Sequence, residues 1–192
     1  MFRLFVAVPV PPLLTLQLQA LQSGLPGAQW LPPESFHLTL TFIGEVNNAA
    51  AEDIDETLSR LYAPAGLVSV GGLGHFGSGD HARTLWAGVA AEPALLHLQS
   101  KITSALARTG IVPEKRRYTP HISLARLHRQ PLDSVMRWCA LNEPFRADDL
   151  PFDHFGLYSS HRSGSGPLYR LEARYPLAGG GLADLQQDAA DA

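Results

Sequence analysis

Along the chain the spacing of apolar positions switches repeatedly between short strand-like runs and helical periods. Arg3–Val8 is an apolar run of strand length. Behind Pro11, Leu14, Leu18 and Leu21 recur at helical spacing, which predicts a helix over Pro11–Leu21, ended by Gly24-Leu25-Pro26-Gly27. Phe36–Ile43 predicts a strand, and Asn47 or Asn48 stands where a cap is needed for a helix over Ala49–Leu61. Leu67–Gly77 and Thr84–Ala90 read as strands on either side of the turn Gly77-Ser78-Gly79-Asp80. Pro93–Arg108 reads as a helix closed by Gly110. His121–Arg126 is a strand and Leu132–Ala140 a short helix. Phe145–Tyr158 and Leu168–Tyr175 are strands around a Ser/Gly loop, Ser159–Gly166. The interleaving is α+β, and no linker divides it. One domain is expected over residues 1–178, followed by an acidic tail, residues 179–192, without fixed structure.

One five-residue pattern occurs twice. Phe36-His37-Leu38-Thr39-Leu40 is echoed 84 residues later by Pro120-His121-Ile122-Ser123-Leu124, each on a strand with a helix to follow. The echo predicts two similar lobes brought together. Side chains alternate along a strand, so His37 and Thr39 share one face and Leu38 and Leu40 the other; the second copy repeats this. If the lobes meet at a groove, two imidazoles and two hydroxyls converge. Such a set suits phosphoryl chemistry without a metal. A neutral His takes a proton from the attacking oxygen, and a protonated His gives one to the leaving oxygen. The hydroxyls donate to the non-bridging phosphate oxygens and hold phosphorus in line.

Composition narrows the partners. The 192 residues are 45% hydrophobic and 17% charged, enough to bury a core, and no apolar run is long enough to span a membrane as a helix. A single cysteine, Cys139, excludes an internal disulfide and a multi-cysteine zinc site. The apolar start is interrupted by Pro9, Pro11 and Pro12 and reads as strand-then-helix rather than a signal peptide, so a cytoplasmic location is expected. A net charge of −3 does not suit a protein that coats duplex nucleic acid. The distribution is uneven, however: Lys101 to Arg129 holds seven cations and one anion, whereas Met1 to Arg60 holds two cations and six anions. A basic patch on a neutral body suits a small anionic ligand or the end of a nucleic acid.

With its two His-x-Thr/Ser motifs, the sequence resembles the two-histidine phosphoesterases. Within them it resembles the bacterial and archaeal RNA 2′,3′-cyclic phosphodiesterases, also described as 2′-5′ RNA ligases. The resemblance extends over nearly the whole chain. It includes Arg3–Val8, Trp30, Phe42-Ile43-Gly44-Glu45-Val46 after the first motif, and Arg83–Val89. It continues through Arg116-Arg117-Tyr118-Thr119-Pro120 before the second motif, Ala125-Arg126 after it, Tyr158-Ser159-Ser160 and Tyr169-Arg170-Leu171. It implies a bilobal pseudo-twofold fold, with antiparallel sheets lining a central groove and helices outside. It also implies a metal-independent and cofactor-free hydrolase opening 2′,3′-cyclic phosphates of RNA ends or nucleotides to 2′-phosphates; a two-lobed chain that closes its own core is expected to be a monomer. His37 and His121 would be the catalytic pair, His37 as acid and His121 as base, and Thr39 and Ser123 would hold phosphate. Ser123 stands where the family commonly has Thr. The same four residues would also suit another ester, such as ADP-ribose 1″,2″-cyclic phosphate or a 2′-5′ linkage or its ligation, or a non-catalytic RNA-end binder.

Further residues have secondary roles in this reading. Arg126, two positions beyond Leu124, is expected on the His121/Ser123 face to meet phosphate or a base. Tyr118 is a candidate for base stacking, and Arg116 and Arg117 for drawing in the RNA backbone. Phe42 and Cys139 are expected in the core. His75, His81, His154 and His161 are expected in loops or on the surface, with no metal-site spacing.

Overall fold

The computed structural model describes residues 2–78, 81–111, 117–163 and 166–179. Strand β1 (Phe2–Pro9) leads into α1 (Pro12–Ala20), where proline occupies the first turn without loss because its missing N–H would have no helical partner. A three-residue strand β2 (Ala28–Trp30) and a 3₁₀ turn (Pro33–Ser35) precede β3 (His37–Val46). The side chain of Asn47 accepts the Ala50 N–H at 2.9 Å and so starts α2 (Asn48–Ser59). Then come β4 (Gly66–Ser78), β5 (His81–Val89) and α3 (Pro93–Arg108). Helix α3 buries a stripe of Leu95, Leu98, Ile102, Ala105 and Leu106, and beyond it Gly110 adopts φ 86°, a left-handed angle that ends helices. The chain continues through β6 (His121–Pro131), α4 (Leu132–Leu141), β7 (Arg146–Phe152), β8 (His154–Ser163) and β9 (Gly166–Pro176).

All described strand pairings are antiparallel, in the order β7-β4-β5-β6-β3-β1-β8-β9, with β2 added to β6. Read outwards from the centre, both halves have the same plan: a motif strand, a partner, a third strand and an edge. Leu38 and Ile122 form the register pair that joins them. These two residues are each other's counterparts in the 84-residue echo, so a pseudo-twofold axis passes between them. The buried core includes Leu4, Val6, Leu38, Leu40, Ile122, Leu124 and Phe155 from the sheet and the apolar faces of α1 to α4.

Most elements match the pattern in the sequence. Phe145–Tyr158, which reads as one strand, is two. β7 pairs with β4 in one half, the chain passes Asp153, and β8 pairs with β1 in the other. Apolar Ala147, Phe152, Phe155 and Leu157 are buried on both sides of this break, so hydrophobicity alone does not reveal it. Most of the expected loop Ser159–Gly166 is strand, because the β8–β9 ladder runs to Ser163↔Gly166. The expected tail, beyond Gly179, lies outside the described residues.

Candidate active site

The Leu38↔Ile122 pair sets the geometry of the site. In an antiparallel register it puts His37 across from Ser123 and His121 across from Thr39, with all four side chains on the face opposite the buried Leu38 and Ile122. Each motif is followed by a bulge at the same place. β1 pairs Ala7 with Thr39 and Val6 with Thr41, leaving Leu40 extra. β5 pairs Trp86 with Ser123 and Leu85 with Ala125, leaving Leu124 extra. A bulge reverses the alternation. Leu40 and Thr41 are therefore both buried, as are Leu124 and Ala125.

The reversal accounts for two residues. Regular alternation would place Arg126 with Leu124 on the core face, so its spacing from Leu124 is not what puts it beside His121. The bulge returns it to that side: Arg126 pairs with Thr84, which shares its face of β5 with Trp86 and Gly88, the partners of Ser123 and His121. In the other motif the same reversal turns Phe42 outwards. It is 55% exposed, whereas its sequence placed it in the core.

Both imidazoles are oriented by a carbonyl two residues upstream. His37 Nδ1 donates to Ser35 O at 2.7 Å and His121 Nδ1 to Thr119 O at 2.7 Å. A carbonyl only accepts, so each ring has its proton on Nδ1, and Nε2 has no partner among the described residues. Their surroundings differ. His37 packs under Phe5 (ring centroids 4.8 Å) and against the edge-on ring of Tyr169 (4.9 Å). Burial lowers its pKa from 6.5 to about 4; the Ser35 bond opposes the shift and charge repulsion from His121 adds to it. His121 touches Phe76 edge-on at 4.8 Å and is less buried; burial lowers its pKa too, against the Thr119 bond. Neither the Thr39 nor the Ser123 hydroxyl is engaged by another described residue.

Where β3 and β6 part, a groove of about 460 Å³ opens beside His121 and Thr39. Phe42 and Phe76 flank it, and Gln99 and Thr103 of α3, with Arg117 and Tyr118, complete its walls. The Tyr118 hydroxyl donates to Thr39 O at 3.1 Å, so this tyrosine ties the approach to β6 onto the first motif, and burial raises its pKa. Arg116 lies outside the described residues. Phe5, Phe76, Gln99, Thr103 and Tyr169 were not apparent as site residues from the sequence. Their only signal was an i, i+4 polar pair, Gln99 and Thr103, beside the apolar stripe of α3. Cys139 is half-buried on α4. His75, His81, His154 and His161 sit on strands, His81 and His161 exposed as expected, and among the described residues no three His, Cys, Asp or Glu side chains converge.

A pseudo-twofold sheet with a His-x-hydroxyl motif on each side of its axis is the architecture of a two-histidine phosphoesterase. A family model described as the 2′-5′ RNA ligase superfamily matches residues 9–164, and the chain belongs to that family. An RNA 2′,3′-cyclic phosphodiesterase of Thermotoga maritima is 31% identical over 158 residues, covering 80% of this chain and 82% of that protein. One from Archaeoglobus fulgidus is 29% identical over 174 residues, 88% and 96% of the two chains. Among solved structures, apo LigT of Escherichia coli shares the fold with a TM-score of 0.72 at 22% identity, over 92% of this chain and 97% of that one. The Thermus thermophilus protein TT0787 gives a TM-score of 0.72 at 25% identity, over 91% and 97%. No described helix is long and apolar enough to cross a membrane.

Proposed function

We propose that this protein hydrolyses 2′,3′-cyclic phosphates at RNA ends to 2′-phosphates, with its two histidines as acid and base and no metal. The observation that supports this is the Leu38↔Ile122 pair, whose register puts two imidazoles and two hydroxyls on one face, with neither hydroxyl engaged by another described residue. The relatives named as RNA 2′,3′-cyclic phosphodiesterases support the choice of substrate.

Two hydroxyl donors, Thr39 and Ser123, hold the non-bridging oxygens where negative charge gathers. Water attacks phosphorus opposite the 3′ oxygen; its oxygen–phosphorus bond forms as the bond from phosphorus to O3′ breaks. One imidazole accepts the water proton at Nε2 and the other delivers a proton from Nε2 to O3′. The environments favour the reverse of the split expected from sequence. His37 is the harder of the two to protonate, so the singly protonated pair places the proton on His121. His37 is then the base and His121 the acid. Product release and exchange with solvent move the proton back. Phe42, exposed on the groove, offers a face for the base, and Arg126 offers a cation to the phosphate side.

The test is a short RNA ending in a 2′,3′-cyclic phosphate, incubated with chelator present. Turnover to the 2′-phosphate is expected, with losses of about a thousandfold in both His37→Ala and His121→Ala. Folded wild-type protein that leaves the RNA intact, or that needs added metal, overturns the proposal.

A further inference from the structure

The cations between Lys101 and Arg129 are not used up by the catalytic groove. Two of them, Lys101 and Arg108, line a second groove, of about 620 Å³, between α2 and α3. Arg60, Tyr62, His97 and Ser104 share it, and no carboxylate among the described residues lines it. Arg60 is paired with Glu56 on the outer turn of α2. Lys101 Nζ donates to Tyr62 O at 2.6 Å, which leaves its remaining hydrogens for another acceptor. Tyr62 is 73% exposed, an unusual placement for an aromatic ring, and no described residue stacks on it. Cations, hydroxyls and an open ring in one channel are what single-stranded nucleic acid uses: phosphates for the charges and a base for the ring.

Helix α3 connects this channel to the active site. At 3.6 residues per turn, Gln99 and Thr103 lie within roughly 40° of each other on the wall of the catalytic groove. His97, Lys101, Ser104 and Arg108 are centred roughly 150° further round, on the wall of the second groove. The crest between them carries exposed Leu96 and Ala107, and Ser100 lines the near wall of the second groove. The core stripe faces elsewhere. A strand whose 3′ end is held at His37 and His121 can therefore leave past Gln99 and Thr103, cross the crest and lay its upstream phosphates along Lys101 and Arg108.

We infer that the groove between α2 and α3 is a secondary site for the upstream backbone of the RNA substrate, making the enzyme prefer oligonucleotides over cyclic mononucleotides. This rests on the proposed hydrolysis. The test compares a 2′,3′-cyclic mononucleotide with a ten-nucleotide RNA bearing the same end, over a range of salt, for wild type and the Lys101→Gln/Arg108→Gln double variant. Wild type should show a lower KM for the longer RNA, and that advantage should fade with salt. The double variant should raise KM for the ten-mer about tenfold while leaving mononucleotide turnover within twofold. Its salt slope for the ten-mer should be smaller by about 1.4, at about 0.7 for each cation removed. Lys101→Arg alone should behave as wild type. Equal losses on both substrates, or an unchanged length preference, overturn the inference. If wild type opens neither substrate, the hydrolytic reading fails on its own, and the groove is then judged by fluorescence anisotropy of the ten-mer ending in a 2′-phosphate. Weaker binding by the double variant upholds the site; equal binding removes it.

Discussion

The two halves of the sheet share one plan but enclose their histidines differently. In the half built on β3, His37 sits under Phe5 and beside Tyr169, and the residue returned to the groove face by the bulge is an aromatic, Phe42. In the half built on β6, His121 meets Phe76 edge-on, and the residue returned by the matching bulge is a cation, Arg126. Backbone geometry is thus repeated, down to the Nδ1 bond to the carbonyl two residues upstream and the bulge after the third motif residue. Side-chain chemistry is not repeated. A symmetric frame thus puts the two imidazoles in matching places on one face of the sheet. Asymmetric packing then buries His37 more deeply than His121, and burial lowers the proton affinity of both.

The largest consequence for the folded state is acid sensitivity. An unfolded chain protonates His37 near pH 6.5, whereas the folded protein resists until about pH 4. Above both values neither state binds the proton and nothing is lost. As pH falls from 6.5 to 4 the unfolded state gains a proton the native state lacks, and stability should drop by roughly 3 kcal/mol before levelling off. His37→Gln should remove most of that slope in denaturant melts at a series of pH values, and His121→Gln less, since its shift is smaller. Equal slopes for the two variants would erase the difference between the halves.

Next come the hydroxyls. Thr39→Val and Ser123→Ala should each lower kcat about a hundredfold, because each removes a donor to the developing charge. Ser123→Thr should stay within a few-fold of wild type, since the hydroxyl is kept and only its rotamer freedom is reduced. The smallest expected effects concern the two outward residues. Phe42→Ala should raise KM about tenfold for a base-bearing substrate and leave ribose 2′,3′-cyclic phosphate unaffected. Arg126→Ala should raise KM about tenfold for both, because it acts on phosphate. Exchange of these two patterns would reverse the roles assigned to the halves.

Much of this site is legible in the sequence. The repeated motif marks His37, Thr39, His121 and Ser123, and simple alternation puts each His with its hydroxyl. Alternation stops being informative one residue later. Nothing in Thr39-Leu40-Thr41-Phe42 announces a bulge, because a regular strand would bury Leu40 and Phe42 together, and that is the simpler reading of four such residues. The capped start of α2 is readable from Asn47, since an Asn before a helical run has a specific partner in the backbone. The groove wall is not, because Gln99 and Thr103 belong to a helix distant in sequence that reaches β3 only through tertiary packing, where the Thr103 and Thr41 hydroxyls meet at 3.1 Å. The break at Asp153 is hidden for a related reason: both flanking strands are buried on one side, in different halves of the sheet.

The most direct measurement uses a cyclic phosphate in which sulfur replaces the 3′ bridging oxygen. A thiolate leaves without needing a proton, so this substrate bypasses the acid and still needs the base. Rates of wild type, His37→Ala and His121→Ala on the oxygen and sulfur substrates should show His121→Ala restored to near wild type by sulfur, and His37→Ala not restored. Rescue of His37→Ala instead, or of both or neither, would contradict the assignment of His37 as base and His121 as acid.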